Sequence, residues 1–208
     1  MSLLLRALTI YFILLLTACS TLPRKQDTTV WSDPLWQKQY TTLKTIKGFT
    51  TQGRIGITQP DDSFSSSIKW QQQARDTLTI RMYGTLGTTY VLLNMTPQLT
   101  TLKTGDEQYF ESQSAAQLLN DVLGWDLPIQ YLQDWVLGLP TGIHLNDLKI
   151  NLDGTLQELH YQNYQVLYQK YRSYNVSNER VISLPQKIKI IQGDNTIILS
   201  LRNWELML

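Results

Sequence analysis

The sequence predicts a mainly β protein with a helical insert, in which about eleven antiparallel strands form a curved sheet or partial barrel. Two observations predict it. Apolar and polar residues alternate with a period of two in runs on both sides of the middle of the chain, and turn residues separate most of these runs. Between them, from residue 114 to residue 137, apolar residues recur every three or four positions, which is the period of an amphipathic helix.

The first element is a helix that Pro34 opens. Apolar residues recur every three or four positions from Trp36 to Ile46, so one side of this helix is apolar, and Gly48 is the expected stop. Six β-rich runs follow it, at residues 49–59, 63–72, 76–83, 88–95, 99–103 and 108–111.

The clearest alternation lies in the third of these runs. Leu78, Ile80 and Met82 fall on one face of the predicted strand, and polar residues fall on the other. One face of the sheet is therefore expected to be apolar and enclosed.

Two short amphipathic helices interrupt the strands. Ser114 is a polar cap for the first, Gly124 stops it, and Pro128 opens the second. Their apolar positions are Ala115, Leu118, Leu119 and Val122 in the first helix and Ile129, Leu132, Trp135 and Val136 in the second. Helices this short need an apolar surface to pack on.

Five more strands complete the sheet, at residues 148–152, 155–162, 165–174, 186–192 and 195–204. The links Asp153-Gly154 and Asp194-Asn195 are typical of hairpin turns. Small barrels are filled by side chains and wider ones hold a ligand, and periodicity does not distinguish the two cases.

The N-terminus has the form of an export signal. Residues 1–18 carry Arg6, an apolar run from Ala7 to Leu16, and small residues before Cys19, the only cysteine of the chain. The ending Leu16-Thr17-Ala18-Cys19 resembles the bacterial lipobox, in which the cysteine is diacylated on sulfur, becomes the N-terminus and is acylated again. The alternative is an ordinary secretory signal with an accidental cysteine.

Several acyl chains on Cys19 are enough for stable membrane anchoring. Ser20 follows, and the sorting pattern of Gram-negative lipoproteins reserves retention in the inner membrane mainly for aspartate at that position. The resemblance therefore implies the periplasmic face of the outer membrane.

The length and composition of the mature chain favour a single domain without net charge. Removal of residues 1–18 takes one arginine from the 18 basic residues, which leaves 17 against 17 acidic ones. A neutral chain argues against nucleic acid as a partner. We expect a lipidated N-terminus and tether at 19–33 and one monomeric domain at 34–208.

No residue pattern predicts catalysis, a cofactor or a metal. His144 and His160 are the only histidines, and neither lies at metal-ligand spacing from a second ligand-type residue. The sequence has no nucleophile elbow, P-loop or dinucleotide fingerprint. We therefore expect a protein that is not an enzyme and that moves any ligand downhill in affinity.

The turn from Gly84 to Gly87, with the sequence GTLG, places an apolar residue where turns are usually polar. Leu86 at its tip is exposed unless something covers it. The alternatives are that Leu86 folds back into the core or is a tolerated exposed leucine.

An ordered set of short segments resembles the LolB family of outer-membrane lipoprotein receptors. The segments are the lipobox at 16–19, GRIGI at 53–57, IKWQQ at 68–72, IRMYGTLG at 80–87, GWDLP at 124–128, WVLGLP at 135–140 and LRNW at 201–204. They occur in family order and span nearly the whole mature chain.

The resemblance implies an open antiparallel β-barrel of about eleven strands with a helical lid over an apolar cavity for acyl chains. It implies that the chain accepts lipoproteins from the periplasmic carrier LolA, without nucleotide hydrolysis, and inserts them into the outer membrane. Leu86 matches the family's membrane-insertion leucine, but Thr85 stands where the family usually has proline. The expected cavity residues are Leu78, Ile80, Met82, Val91, Leu93, Leu118, Leu119, Val122, Leu132 and Trp135. The rival interpretation is a structural or assembly lipoprotein whose filled β domain binds an envelope protein.

Overall fold

The computed structural model describes residues 30–177 and 180–208. The predicted signal peptide at 1–18, Cys19 and the tether up to residue 29 lie outside the described residues.

Eleven antiparallel strands form one sheet, as the alternation predicts. They are β1 Gly48–Thr58, β2 Ser63–Ala74, β3 Thr77–Tyr83, β4 Thr89–Met95, β5 Thr100–Thr104, β6 Tyr109–Ser112, β7 Leu148–Ile150, β8 Leu156–Tyr161, β9 Tyr164–Ser177, β10 Arg180–Gln192 and β11 Asn195–Met207. Their order in the sheet is β6-β5-β4-β3-β2-β1-β11-β10-β9-β8-β7. Strands β6 and β7 are the two edges of this order, so the sheet is open and the predicted fold class is confirmed.

In the described part of the chain, three α-helices accompany the sheet: α1 Pro34–Leu43, α2 Ala115–Leu123 and α3 Ile129–Trp135. One 3-10 turn precedes α1 at Val30–Ser32, and another precedes β7 at Leu145–Asp147. Helices α2 and α3 come between the two edge strands in sequence, and α2 contacts both β5 and β6. The helical insert therefore covers the open side of the sheet.

The predicted ends of α2 and the predicted start of α1 are seen in the backbone geometry and the hydrogen bonds. The hydroxyl of Ser114 accepts the N–H of Gln117 at 3.2 Å, and Gly124 ends α2 in the left-handed conformation, with φ +67°. Asp33 caps α1 by accepting the N–H groups of Leu35 and Trp36, both at 2.9 Å.

Several element bounds differ from the prediction, and two of these differences have a clear local cause. Helix α1 ends at Leu43 rather than near Gly48, because Thr45 donates both its N–H (3.1 Å) and its hydroxyl (2.8 Å) to the Thr42 carbonyl. Strand β10 begins at Arg180 instead of 186, and a register shift beside Pro185 accommodates a residue that has no N–H to donate.

Antiparallel pairing places successive turns on two opposite rims of the sheet. The upper rim carries residues 59–62, 84–88, 105–108, 162–163 and 193–194. The lower rim carries residues 75–76, 96–99 and 151–155, together with the chain's C-terminus.

Helix α1 lies at the lower rim. The side chain of Gln39 donates to the carbonyl of Ser183, near the start of β10, at 2.5 Å. Gly154 in the β7–β8 turn is so close to Leu35 that a Cβ there would come within 2.4 Å of the Leu35 carbonyl carbon. Trp31, which the sequence assigned to the tether, packs on Tyr40 with ring centroids 4.7 Å apart.

The core lies between the inner face of the sheet and the helices. The alternating residues Leu78, Ile80 and Met82 are buried, as their period predicts. Trp70 of β2 and Trp135 of α3 are also fully buried, so both layers contribute large aromatic side chains.

Glu158 on β8 makes the stability of the β7–β9 region dependent on pH. Hydrogen bonds from Lys149 (2.7 Å) and Gln165 (2.7 Å), with a contact to His160, lower the pKa of its carboxyl to about 2. A lowered folded-state pKa stabilises the fold above the unfolded-state pKa, and the contribution is lost as the pH falls toward 2. We expect Glu158→Gln to lower the free energy of unfolding by about 1 kcal/mol at pH 7.

Urea unfolding of both proteins at several pH values checks this expectation. The difference between them should disappear as the pH falls from above 4.5 toward about 2. Equal stabilities at pH 7, or a difference that does not change with pH, would show that the ion pair has no net effect.

Candidate functional site

Leu86 lies at the tip of the β3–β4 turn on the upper rim. Its side chain is 96% exposed, so it does not fold back into the core. The N–H of Gly87 donates to the Gly84 carbonyl at 3.0 Å, and the N–H of Gly84 donates to the carbonyl of Thr88 at 2.8 Å. The turn is therefore closed by backbone hydrogen bonds, while the leucine at its tip contacts water.

Arg81 stabilises the base of this turn through its guanidinium group. Its guanidinium donates to the carbonyl of Gly87 at 2.7 Å and to the hydroxyl of Thr89 at 2.8 Å. The same group lies 5.2 Å from the ring centroid of Tyr83. These contacts hold Leu86 away from the body of the protein.

Thr85 is the second residue of the four-residue turn Gly84–Gly87, a position that favours proline. We expect Thr85→Pro to raise the free energy of unfolding by about 0.4–1 kcal/mol, because proline restricts the unfolded chain. Thermal unfolding measures the change. Thr89→Pro is the control and should destabilise, because Thr89 pairs with Tyr83 in the β3–β4 ladder. Destabilisation by Thr85→Pro would show that the turn does not accept the φ of proline.

A second exposed leucine lies on the opposite rim. Leu152 is 93% exposed in the turn between β7 and β8, next to Leu35 of α1. The sequence prediction placed it at a strand end. The segment NLDG, like GTLG, places a leucine next to residues that favour turns. This pattern is the sequence signal from which the exposed Leu152 could have been predicted.

Six of the predicted cavity residues line one apolar cavity in the core. These are Ile80, Met82, Val91, Leu93, Leu119 and Leu132. Leu78, Leu118 and Trp135 are buried in the same core without lining this cavity, and Val122 is half-buried on α2. The sequence prediction did not include Ile55, Ile68, Trp70, Trp125, Leu127, Ile129, Ile197 and Leu199, which also line it.

The cavity is almost completely filled by these side chains. Its volume is about 30 Å³, room for about two or three water molecules at the roughly 10–15 Å³ that each one requires. The helices α2 and α3 therefore close tightly on the sheet in this conformation, and an acyl chain requires part of the helical insert to move.

Three aromatic rings close the upper end of this interior. The ring centroid of Phe64 lies 5.9 Å from that of Trp125 and 6.0 Å from that of Tyr90. We call these three residues the aromatic cluster. Trp125 belongs to the α2–α3 linker, residues 124–128, so the cluster joins the helical insert to β2 and β4.

Exposed hydrogen bonds also hold the linker at the upper rim. The side chain of Gln192 donates to the Asp126 carboxylate at 2.6 Å, and Gln59 donates to the carbonyl of Gly124 at 3.2 Å. The hydroxyl of Tyr164 donates to the backbone carbonyl of Asp126 at 3.1 Å. Burial, with a smaller effect of the neighbouring Asp126, raises the pKa of the Tyr164 hydroxyl.

The lower end of the interior is closed by a buried amide network. The side chain of Gln72 donates to Gln133 of α3 at 2.8 Å and accepts the indole N–H of Trp70 at 3.0 Å. Both glutamines are buried. An ion pair at 3.1 Å between Arg75 and Asp134 adds to this attachment of α3.

A groove of about 560 Å³ lies outside this network, between α1, α3 and the ends of β1 and β2. Its walls carry Lys44, Lys47 and Arg75, and the two buried glutamines form part of its floor. The groove is open to water, and the apolar side chains of Ile46, Phe49, Leu137 and Leu139 line it together with these polar groups.

The described part of the chain contains no candidate metal site. No group of three or more histidine, cysteine or acidic residues among 30–177 and 180–208 is placed to hold a metal ion. Within the same residues, no helix is long and apolar enough to cross a membrane.

Comparison with known proteins gives a consistent family match. The family model described as outer membrane lipoprotein LolB matches residues 47–204. The chain is 31% identical over 197 residues to the outer-membrane lipoprotein LolB of Vibrio cholerae, which covers 94% of this chain and 93% of that relative. It is also 31% identical over 206 residues to the protein of the same name from Stutzerimonas stutzeri, which covers 99% and 97% of the two chains.

A crystal structure of a LolA-superfamily protein from Nitrosomonas europaea has the same fold. The TM-score is 0.51 at 10% sequence identity, and the match covers 86% of this chain and 94% of that one. At this identity the likeness concerns the fold alone.

Proposed function

The chain belongs to the LolB family of outer-membrane lipoproteins, and we propose that it is the receptor that accepts lipoproteins from a LolA-type periplasmic carrier. It holds their acyl chains between the sheet and helices α2 and α3, and it inserts them into the outer membrane. No catalytic group takes part in this function, and no nucleotide is hydrolysed.

The observation that carries the proposal is the position of Leu86. An almost fully exposed leucine on a braced turn is unfavourable in water, and insertion into lipid removes that cost. The turn lies on the rim where the apolar interior is closed by aromatic rings. The apolar interior that holds the acyl chains and the leucine that contacts the membrane therefore lie next to each other.

Differences in affinity drive the transfer. Each buried methylene of an acyl chain contributes about 0.8 kcal/mol, so carrier, receptor and bilayer differ according to how fully they shield the chain. Each tenfold gain in affinity corresponds to about 1.4 kcal/mol, which a few methylene groups supply.

Attachment through Cys19 determines where the receptor works. We propose that the lipidated cysteine holds a monomeric domain on the periplasmic face of the outer membrane. The domain then meets the carrier in solution and the bilayer within reach of its tether. Replacement of Cys19 should abolish lipidation of this chain without preventing acceptance of cargo.

Transfer of a labelled lipoprotein from the carrier tests the function. The carrier, loaded with fluorescent lipoprotein, is mixed with the form of this chain that lacks residues 1–19, and the label is followed by gel filtration. The label should move to this chain, and excess fatty acid should compete with it. Retention of the label on the carrier would contradict acceptance.

The small cavity favours a second candidate function. A volume of about 30 Å³ is what a filled β domain has, and such a domain would bind an envelope protein instead of a lipid. A fluorescent fatty acid distinguishes the two functions. Saturable binding supports the receptor, whereas no binding together with no uptake of lipoprotein supports the structural role.

A further inference from the structure

The closed interior raises the question of which end opens to acyl chains. Its volume of about 30 Å³ excludes even a short alkyl chain, so part of the helical insert moves during acceptance. The two ends of the interior are closed by different kinds of contact, and this difference indicates the direction of opening.

The lower end resists opening to an apolar ligand. Gln72 and Gln133 bond to each other in the buried amide network, and the indole of Trp70 donates into it. An acyl chain that passed here would separate these groups and offer them no hydrogen-bond partner. Buried polar groups that lose their partners carry a large free-energy penalty.

In the part of the chain that the structure describes, the upper end has no fully buried polar network, and the bond from the Tyr164 hydroxyl to the Asp126 carbonyl is only half-buried. Among the described residues, no hydrogen bond joins the side chains of Phe64, Tyr90 and Trp125 to one another, and their rings meet through apolar contacts. The bonds from Gln192 and Gln59 to the linker are exposed, so water replaces them when the linker moves. An acyl chain at this end contacts aromatic rings throughout its passage.

The aromatic cluster is also continuous with the exposed turn. Trp125 lines the cavity and is 8% exposed, Tyr90 is 40% exposed, and Leu86 is 96% exposed. The hydroxyl of Tyr90 lies against Gly84 at the base of the turn, within 2.4 Å of where a Cβ would be. Apolar side chains therefore lead from the interior to the tip of the turn.

We propose that acyl chains enter and leave at the upper rim, when the linker 124–128 carries Trp125 away from Phe64 and Tyr90. This inference rests on the proposed function and concerns the same site. We call the opening between the linker, Phe64 and Tyr90 the port. The lower end stays closed while the port opens, and cargo leaves beside Leu86.

Reversible cross-links at the two ends test the port. Cys19 is the only natural cysteine, and its lipidation leaves no free thiol in the mature protein. The upper pair is Asp126→Cys with Gln192→Cys, and the lower pair is Arg75→Cys with Asp134→Cys. Their native polar atoms are 2.6 and 3.1 Å apart, and each pair has one exposed and one half-buried residue. A short bifunctional methanethiosulfonate joins either pair, and a reductant releases it.

Full-length lipidated protein in phospholipid vesicles then receives a labelled lipoprotein from its carrier. The upper cross-link should slow transfer at least tenfold, and reduction should restore it. The lower cross-link should leave the rate unchanged. The proposal would be overturned if the lower cross-link slows transfer, alone or together with the upper one, or if neither cross-link slows it. Failure of the uncross-linked wild type would instead contradict the proposed function.

A substitution tests the port without cross-linking. Trp125→Ala removes the ring that closes it, so transfer should become faster, by roughly threefold or more. Gln133→Ala at the lower end is the matched control and should not accelerate transfer. Acceleration by Gln133→Ala alone would also overturn the port.

A different observation concerns Ser66, just inside this port. Ser66 pairs with Ile55, which lines the cavity, and it lies two residues from Phe64 on the same strand face. It is 4% exposed, and its hydroxyl has no hydrogen-bond partner within the described residues. Ser66 does not itself line the cavity, but an unpaired donor beside the cavity wall suits a ligand with an apolar body and a carbonyl at its head.

The structure assigns Ser66 as the hydrogen-bond donor to the ester carbonyl at the head of a bound acyl chain. The test uses synthetic lipopeptides with ester-linked or ether-linked chains, loaded on the carrier and offered to full-length protein in vesicles. Ser66→Ala should slow acceptance of the ester form roughly threefold to tenfold, the effect of one hydrogen bond. It should not affect the ether form. Equal effects on the two forms, or no effect on either, would overturn the role.

Discussion

Replacement of Leu86 by glutamate should block delivery of lipoproteins to the membrane while acceptance from the carrier continues. The side chain is 96% exposed, so the change removes no packing, and surface substitutions of this kind alter stability by less than about 0.5 kcal/mol. A carboxylate at the tip must be dehydrated to enter lipid, which is strongly unfavourable. Labelled lipoprotein should therefore remain on the variant when vesicles are added.

Leu152→Glu is the matched control for this prediction. Leu152 is equally apolar and 93% exposed, but it lies on the lower rim beside α1. The same charge there should leave delivery unchanged. Normal delivery by the Leu86 variant would refute the role of the turn, and equal inhibition by both variants would point to net charge instead.

Replacement of Trp135 by alanine should destabilise the domain by about 3–5 kcal/mol, the usual range for a fully buried tryptophan. The ring stacks on Tyr131 at a centroid distance of 5.9 Å and meets Tyr161 edge-on at 5.5 Å. Its indole N–H donates to the carbonyl of Thr141 at 3.0 Å. Alanine leaves a cavity and an unpaired carbonyl where α3 is held on the sheet.

Urea unfolding measures this loss. Trp135→Phe is the control: it keeps most of the packing and removes the indole N–H, so it should be less destabilising than alanine. If the alanine variant loses less than about 1 kcal/mol, α3 would not depend on this ring. Such a result would also weaken the proposal that the lower end, where α3 meets the sheet, stays closed while the linker moves.

The sheet could be predicted because its alternation directly reflects burial. Leu78, Ile80 and Met82 occupy every second position and all face the core. The ends of α2 could be predicted from Ser114 and Gly124 because both act through local backbone geometry. Pro185 misled the prediction of β10, because a bulge absorbs a residue that local rules exclude from a strand.

The site was harder to predict, because its properties depend on distant contacts. A filled core and an acyl cavity use the same residue types, so the sequence could not give a volume of about 30 Å³. Trp125 and Leu127 line the interior from a linker without helical or strand period. The amide pair of Gln72 and Gln133 joins residues 61 positions apart, and no spacing rule links them.

The opposite placement of α1 and Leu86 has a consequence for orientation during delivery. The eleven backbone steps from Cys19 to Val30 reach at most about 40 Å when fully extended. Strand β1 has 11 residues and leads from the α1 end of the sheet to the upper rim, a distance of roughly 36 Å at about 3.3 Å per residue. With Cys19 anchored in the bilayer as we propose, the domain must rotate on this tether before Leu86 touches lipid, and the tether is nearly as long as the domain. Deletion of several residues between 20 and 29 should therefore stop delivery by geometry alone, with Leu86 and the port intact.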